Sequence, residues 1–394
     1  MLRKTLLVLI VLSLLMTPVA LAQGDGKPTI AILRFGRTAL NELTRTGILD
    51  TLQAYQFINA DERALLNAEE DLEGERINII WGNGGMDLPT ANIMVENALD
   101  RGADILLPLM TPVAQIAANL TQDLEQPPLV LFSIVSAPYT AGIAEAPCIK
   151  PAHIAGTQAR VPFEQIVSLL RTQQPDISLV GTMVNAAEPN SVNGVEQIIM
   201  HSEALGMTVE AAPITSLPDV PVATQTLLDK GVEAILISGS SLEVRGTPSI
   251  VEVASGYGIP VFSPVVGNVN LGAHVGAGFN DFYREGVVVG RMLTAHLERN
   301  IDISALAINA LPSLGVALNL DTAAEAGISF SEELLSLADY SIENGASTQN
   351  RTPPSLPDIP LEERRAADLA FLAGIECTPE RIAEEQAALD AMEQ

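Results

Sequence analysis

Three small polar residues in the first half of the chain each follow an apolar run, where they could bind a ligand. They are Thr38, Thr111 and Ser136. A hydroxyl group at such a place, with the free amides of a following helix, can hold a carboxylate. We expect Thr38 and Thr111 to hold an anionic group, although Thr is also a common N-cap and both could be caps only. The neighbouring Arg37 could clamp a carboxylate or be a solvated loop charge.

A second set of polar residues follows apolar runs later in the chain. Asn185, Ser240 and Asn268 occupy these positions. Asp281 precedes an amphipathic helical pattern, so it could pair with a ligand cation or act as the N-cap of that helix. We expect the two sets to face each other if the runs are strands of two neighbouring sheets.

Four aromatic side chains are candidates for an apolar wall of the same site. They are Trp81, Tyr139, Phe262 and Phe282. Trp81 precedes a glycine-rich stretch, and glycines let a backbone approach a ligand closely. For Phe262, which lies within an apolar run, the core of a strand is the better interpretation.

The sequence offers no pattern for catalysis, a metal or a cofactor. The four histidines lack metal-ligand spacing, the glycines at 276–278 lack the rest of a dinucleotide motif, and Ser240 lies outside a nucleophile-elbow pattern. We therefore predict a protein with no catalytic residues, no metal and no cofactor. A hydrolase on the same scaffold remains a minor alternative on fold grounds alone.

The elements that would position these residues alternate between strand and helix, twice over. Unbroken apolar runs such as 105–107 and 234–237 are typical of strands buried on both faces of a parallel sheet. A first strand–helix series spans 29–135 and a second spans 161–265. The predicted fold class is α/β, with two doubly wound parallel-sheet lobes and a helical tail. Ligands of such sheets bind beyond the carboxyl ends of the strands.

The pattern after the second series predicts a chain that crosses between the lobes three times. We expect lobe one to contain 27–153 and 272–300, and lobe two to contain 154–271 and 301–341. The proline-rich stretch after 344 reads as an extended linker, followed by two helices within the tail 344–394.

The N-terminal residues 1–22 read as an export signal. Arg3 and Lys4 precede an apolar run, Pro18 breaks it, and Ala20-Leu21-Ala22 forms a small-x-small cleavage site. The alternative is an uncleaved membrane anchor, since the run is nearly long enough to span. We expect export to the periplasm or the cell exterior and a soluble mature chain.

Charge and cysteine content fit this location. The formal net charge of −27 repels nucleic acid and anionic lipid, which excludes those partners, and favours solubility. The two cysteines, Cys148 and Cys377, suggest a disulfide in an exported protein. Two free thiols are the alternative, because sequence does not show proximity.

Several short motifs, taken in order, resemble one family: the ABC-transporter substrate-binding proteins related to the tryptophan/tyrosine-binding type. The resemblance covers about 27–338. It rests on Thr38-Ala39-Leu40 with Gly47, Thr111-Pro112-Val113-Ala114-Gln115, Ser136-Ala137-Pro138-Tyr139-Thr140-Ala141-Gly142-Ile143, Glu188-Pro189-Asn190-Ser191, Gly272-Ala273, residues 278–291, and Asn319-Leu320 with Ala323 and Gly327.

This resemblance implies a type I periplasmic-binding fold, no catalysis, and delivery of a small solute to an ABC permease in the membrane. Two departures bear on the solute. Ala137-Pro138 stands where the family usually has Asp-Pro, and the stretch 238–241 lacks an Asp that the family often has there. Both argue against an ordinary ammonium-bearing amino acid.

The predicted function is capture of a small polar or amphipathic solute, an amino acid or related compound, by closure of two lobes. We expect the protein to be a monomer. The alternative is a sensory protein that reports the ligand to a membrane kinase or chemoreceptor.

Overall fold

The structure is a computed structural model that describes residues 26–311, 313–348 and 354–392. The predicted export signal, residues 1–22, lies outside the described residues. Within them, no helix combines the length and apolar character needed to cross a membrane.

The strands follow the alternating pattern of the sequence. In chain order they are β1 Thr29–Arg34, β2 Leu72–Glu73, β3 Asn78–Asn83, β4 Ile105–Leu109, β5 Leu129–Val135, β6 Ile154–Gln158, β7 Leu179–Val184, β8 Thr208–Pro213, β9 Ala234–Leu236, β10 Val261–Val265, β11 Val275–Phe279, β12 Asn309–Ala310, β13 Gly315–Asn319, β14 Tyr340–Glu343 and β15 Ala346–Ser347.

The helices lie mostly between consecutive strands, as crossovers of parallel sheets require. They are α1 Ala39–Ala54, α2 Ala60–Asn67, α3 Leu88–Asp100, α4 Thr111–Thr121, α5 Phe163–Gln173, α6 Pro189–Ala204, α7 Asp219–Asp229, α8 Ser241–Ser255, α9 Phe282–Leu297, α10 Leu320–Glu325, α11 Glu332–Leu337, α12 Leu361–Ala373 and α13 Pro379–Met392.

Lobe one is built on a seven-stranded sheet in the order β12-β6-β5-β4-β1-β3-β2. Its pairs are parallel except for β2 with β3. Successive residues of β1 alternate between two cores: Ile30 and Ile32 pack in one, Ala31 and Leu33 in the other. Helices therefore cover both faces, which confirms the doubly wound prediction.

Lobe two is built on an eight-stranded sheet in the order β15-β14-β13-β11-β10-β9-β7-β8. Most of its pairs are parallel, whereas β11 with β13 and β14 with β15 are antiparallel. The two-lobed α/β class predicted from the sequence is thus confirmed.

The chain passes between the two sheets three times before its tail, as predicted, but at shifted positions. The first two crossovers are residues 159–162 and 280–281, and the third lies between β12 and β13, where the structure describes residues 311, 313 and 314. The assignment of 272–279 to lobe one is wrong, because β11 pairs with β10 of lobe two.

The predicted lobes of β6 and β12 are also wrong, again because strand pairing places these strands in the other sheet. β6 was assigned to lobe two but lies beside β5 of lobe one, and β12 pairs with β6. A short apolar strand can join either sheet, and only the long-range pairing decides which one.

The return helix α9 packs backbone to backbone against α1. A Cβ added at Gly286 would lie 2.0 Å from the carbonyl oxygen of Thr44, and one added at Gly47 would lie 2.3 Å from that of Tyr283. The hydroxyl of Thr44 also donates to the carbonyl of Phe282, at 3.0 Å. This contact fixes the start of α9 to lobe one.

The tail returns from lobe two to lobe one, a fourth passage that the sequence did not predict. β15 belongs to the sheet of lobe two, whereas α12 packs on α9 through an Arg291–Asp368 ion pair of 2.7 Å. The structure contains the predicted disulfide, with 5.5 Å between the Cα atoms of Cys148 and Cys377. It anchors the start of α13 to lobe one. Residues 349–353 of the predicted linker lie outside the described residues.

Candidate functional site

A cavity of about 580 Å³ lies between the lobes, at the ends of their strands and beside the crossovers. Volumes of roughly 300–1,000 Å³ suit small-molecule ligands. Its polar lining comes from both lobes, a crossover and the tail, and comprises Thr38, Thr111, Ser136, Gln158, Arg160, Asn190, Asn193, Gln197, Ser238, Ser241, Asn309 and Arg381.

Three of the residues proposed from the sequence line this cavity: Thr38, Thr111 and Ser136. They follow β1, β4 and β5, so the carboxyl ends of adjacent parallel strands bring them together. The carbonyl of Ser136 accepts a hydrogen bond of 3.0 Å from the Gln158 side chain, which orients a second polar residue of the wall.

The two threonines differ in their relation to the helices. Thr38 is the N-cap of α1, and its hydroxyl accepts from the amide of Asn41 at 3.2 Å. The cap interpretation of Thr111 is wrong: α4 begins at Thr111, Met110 is the N-cap residue, and no side chain caps the helix. The α4 amides at the cavity are therefore not used by a cap, and their dipole favours a negative group.

Met110 takes an unusual backbone conformation at this point, with φ +81°. The left-handed region costs non-glycine residues of order 1–3 kcal/mol and is found most often at functional sites. Its amide donates to the carbonyl of Ser133 on β5, at 3.0 Å, and this hydrogen bond helps hold the turn that presents Thr111.

Two proposed residues of lobe one lie away from the cavity. The side chain of Arg37 is 65% exposed and pairs with Glu69, so the solvated-charge interpretation describes it better. Trp81 packs against the core of lobe one, with the guanidinium of Arg45 at 5.7 Å from its ring centroid. It is not among the residues that line the cavity.

The proposed residues of lobe two support the wall rather than line it. Asn185 donates to Glu188 at 2.7 Å, and Asn268 donates to Thr247 and Ser263, both at 3.0 Å. Ser240 is buried and caps α8 by accepting from the amide of Glu243.

Asp281 is the N-cap residue of α9, as its alternative interpretation held, but its side chain makes no capping hydrogen bond. It lies at the second crossover, 3.8 Å from Arg284, with 40% of its side chain exposed. It does not line the cavity.

Two buried glutamates shape the wall at the start of α8. Glu188 accepts from the amide of Ser241 at 2.8 Å, and Glu243 accepts from the amide and hydroxyl of Ser238. Burial raises the pKa of Glu243 to about 7, against the lowering effect of the hydrogen bonds from Ser238 and Ser240. Ser238 and Ser241 are thereby held at the cavity surface.

Aromatic rings form much of the apolar lining: Tyr139, Phe163, Phe279 and Phe282. Phe279 and Phe282 meet edge to face at 5.1 Å between centroids. Of the four aromatic candidates, Tyr139 and Phe282 line the cavity, whereas Phe262 is fully buried in the core of lobe two. Burial raises the pKa of Tyr139 to about 12, so its hydroxyl stays protonated at neutral pH.

The charged groups of the lining are all cationic. Among the described residues that line the cavity, Arg160 and Arg381 are charged and no Asp or Glu is present. Three polar atoms in the lining residues are buried without a hydrogen-bond partner: Asn190 Oδ1, Ser241 Oγ and Asn309 Nδ2. The cavity thus offers cations and neutral donors and acceptors. No cluster of His, Cys, Asp and Glu suited to a metal occurs in the described ranges.

Sequence reasoning missed the site residues that depend on long-range placement. Gln158 is the last residue of β6, Arg160 lies at the first crossover, and Asn309 lies on β12 just before the third. Arg381 belongs to the tail, and the single sequence signal that connects the tail to this region is the cysteine pair.

The fold and the cavity define a two-lobed α/β binding protein. The chain belongs to the family described as ABC transporter substrate binding protein, whose family model matches residues 43–342.

A related protein is consistent with that assignment. The tyrosine-binding protein of Clostridioides difficile (strain R20291) is 22% identical over 277 residues, which are 70% of this chain and 78% of that protein.

Two solved structures share the fold. An ABC domain from Streptococcus pneumonia in complex with L-Trp has a TM-score of 0.70 and 21% identity, covering 80% of this chain and 100% of that one. The ligand-free, open structure of a substrate binding protein with adhesive properties from Clostridium difficile has a TM-score of 0.56 and 23% identity, covering 77% and 96%.

Proposed function

We propose that this protein captures a small amphipathic solute outside the cytoplasmic membrane and delivers it to an ABC permease. The observation that carries the proposal is the interlobe cavity, whose lining comes from both lobes. A solute that contacts both lobes stabilises the closed arrangement relative to the open one, so binding shifts the population toward closure. Residues 1–22 would direct export, and the working unit would be a monomer.

The direct contacts proposed for the solute come from both sides of the cavity. Thr38, Thr111 and Ser136 would act from lobe one, with an anionic group near the uncapped start of α4. Asn190 and Ser241 would act from lobe two through their unpartnered oxygens. The aromatic rings of the lining would bury the apolar part of the solute.

The test begins with native mass spectrometry of protein purified from its own host, which identifies a co-purified solute. Small-angle scattering with and without that solute should show a smaller radius of gyration when it is bound. Uptake of the solute by cells should require the gene. Absence of any co-purified or screened solute, with no change in scattering, would contradict the proposal.

Thr111→Val tests the proposed contact at α4. Replacing the hydroxyl leaves the anionic group of the solute without one hydrogen-bond partner. We expect affinity to fall roughly ten- to hundred-fold, since a hydrogen bond to a charged group contributes about 1.5–3 kcal/mol. Titration calorimetry with the co-purified solute measures the change. Thr226→Val on α7, which lies outside the cavity lining, is the matched control. Unchanged affinity in Thr111→Val would remove Thr111 from the site.

A further inference from the structure

We propose that the C-terminal helix α13 is part of the binding site. In this arrangement its Arg381, together with Arg160, selects an amphipathic carboxylate that carries no ammonium group. The inference rests on the proposed function and names the class of solute.

Arg381 reaches the cavity from outside the region that the family model matches, which ends at residue 342. Its Nε pairs with Glu385 at 3.0 Å, and the other oxygen of Glu385 accepts from the amide of Cys148 at 2.6 Å. These contacts hold the arginine in place. No hydrogen bond in the described part of the chain engages its two Nη atoms, so both remain available to a carboxylate in the bidentate geometry that Arg favours.

The tail is fixed to lobe one beside the third crossover. The amide of Cys377 donates to the carbonyl of Ala305 at 2.7 Å, and the amide of Ala307 donates to the carbonyl of Ile375 at 2.9 Å. The disulfide to Cys148 joins the same segment to lobe one. Because residues 307–310 line the cavity as well, the tail is attached to the wall itself.

The charges around the cavity favour an anion. The Arg160 side chain has no ion-pair or hydrogen-bond partner among the described residues, and its side chain is exposed at the first crossover. An ammonium group in the cavity would meet the unpaired guanidinium of Arg160 and that of Arg381, whose charge Glu385 partly offsets from outside the lining. It would find no carboxylate in the lining itself to compensate the charge that binding would have to desolvate. A carboxylate in the cavity would instead be attracted by these guanidinium groups and repelled by no carboxylate of the lining.

The buried carboxyl groups behind the wall do not alter this balance. Glu188 and Glu243 are engaged by Ser241, Asn185 and Ser238. Glu285 accepts from the amide of Ile134 at 3.2 Å. None of the three lines the cavity, so none is placed to receive a ligand ammonium.

Three probes with the same phenol ring test whether the site prefers a carboxylate without an ammonium group: 3-(4-hydroxyphenyl)propanoate, L-tyrosine and tyramine. They are an anion, a zwitterion and a cation. With the full exported chain in calorimetry, we expect the propanoate to bind at least ten-fold more tightly than L-tyrosine and tyramine not to bind. L-Tyrosine binding as tightly as the propanoate, or no binding of the propanoate, would overturn the inference. The proposed function is tested separately, by identifying the co-purified solute and by measuring scattering with and without it.

Arg381→Gln tests the tail. We expect at least a ten-fold loss of affinity for the propanoate, a weaker dependence of that affinity on salt, and an unchanged thermal midpoint. Arg101→Gln is the matched control, since Arg101 is half-exposed, pairs with Asp71 on the surface and lies outside the lining. Equal propanoate affinity in the wild type and in Arg381→Gln would exclude the tail from the site.

Discussion

Glu285 is a fully buried carboxyl group next to the residues that form the cavity wall. It lies on α9 and accepts from the amide of Ile134, which lines the cavity with the unusual φ of +57°. Burial raises the pKa of Glu285 to about 8, assisted by the Asp281 charge, while hydrogen bonds from Thr157 and Ile134 act against it. At neutral pH this group is therefore mostly protonated.

The raised pKa of Glu285 predicts a pH dependence of stability. The unfolded chain releases this proton near pH 4.5 and the folded chain near pH 8. The stabilisation is complete below pH 4.5 and is lost as pH rises through about 8, a total on the order of 5 kcal/mol. The pKa of Glu243, raised to about 7, acts in the same direction.

Glu285→Gln should flatten the fall in unfolding free energy between pH 6.5 and pH 8. Denaturant unfolding at both values measures the slope for the wild type and the variant. The exposed Glu252 on α8 supplies the control Glu252→Gln, which should keep the wild-type slope. Equal slopes in the wild type and Glu285→Gln would show that this carboxyl does not control the dependence.

At the scale of elements, the close α1–α9 contact positions one end of the cavity. Because Gly286 lies against the backbone of Thr44, a side chain there must push the two helices apart. Phe282, at the start of α9, lines the cavity, so this displacement would also move an aromatic wall. The contact thus connects packing in lobe one with the shape of the site.

Gly286→Ala should lower the free energy of unfolding by roughly 1–3 kcal/mol through overpacking. A Cβ at Gly267, by comparison, meets no atom within 4 Å, so Gly267→Ala is the control and should change stability little. Denaturant unfolding of the two variants measures the difference. Equal free energies of unfolding for Gly286→Ala and Gly267→Ala would contradict the expectation that the close contact between α1 and α9 contributes to stability.

Most elements could be predicted from the sequence because their apolar patterns are local. β4 is buried along its whole length, and its unbroken apolar run indicated a parallel strand. The sheet that β11 joins could not be predicted, because its pairing partner is selected only when the chain has folded. α8 begins at Ser241 and continues through Pro248, although a proline in a sequence ordinarily predicts the end of a helix.

In the candidate site, too, residues next to local strand patterns could be predicted, whereas residues placed by long-range contacts could not. Thr38, Thr111 and Ser136 could be proposed from the sequence because they follow predicted strands of one sheet. Gln158 was missed because β6 is short and contains a glycine, and Arg381 because its helix is polar with no buried residue. Residues brought in by crossovers and the tail carry no local signal of their role.

At the scale of the whole molecule, the disulfide holds the tail against the site. The bond closes a loop of 229 residues, for which the chain-entropy account gives about 5 kcal/mol, a model-dependent figure. No residue of α13 is classed as buried, so its main attachments to lobe one are the bond, the neighbouring backbone pairing and the hydrogen bond from the Cys148 amide to Glu385.

The double variant Cys148→Ser/Cys377→Ser should therefore lower the thermal midpoint and expose the tail to proteases. It should also lose the contribution of Arg381, so that adding Arg381→Gln changes propanoate affinity little. Calorimetry on the four proteins of this cycle measures the coupling. An Arg381→Gln effect of equal size with and without the cysteines would show that the tail stays in place unaided.

The packing of α9 also determines where the molecule can bend. α9 moves with lobe one and β11 with lobe two, so the two residues between them must absorb any rotation. Gly315, just after the third crossover, lies against the side chain of Asn280 in the second, so these segments twist as one pivot. The segment carrying Arg160 is the other pivot. If the lobes close on the solute as proposed, their rotation would change the direction in which the Arg160 guanidinium points, so that binding of an anion and closure of the cleft would be coupled.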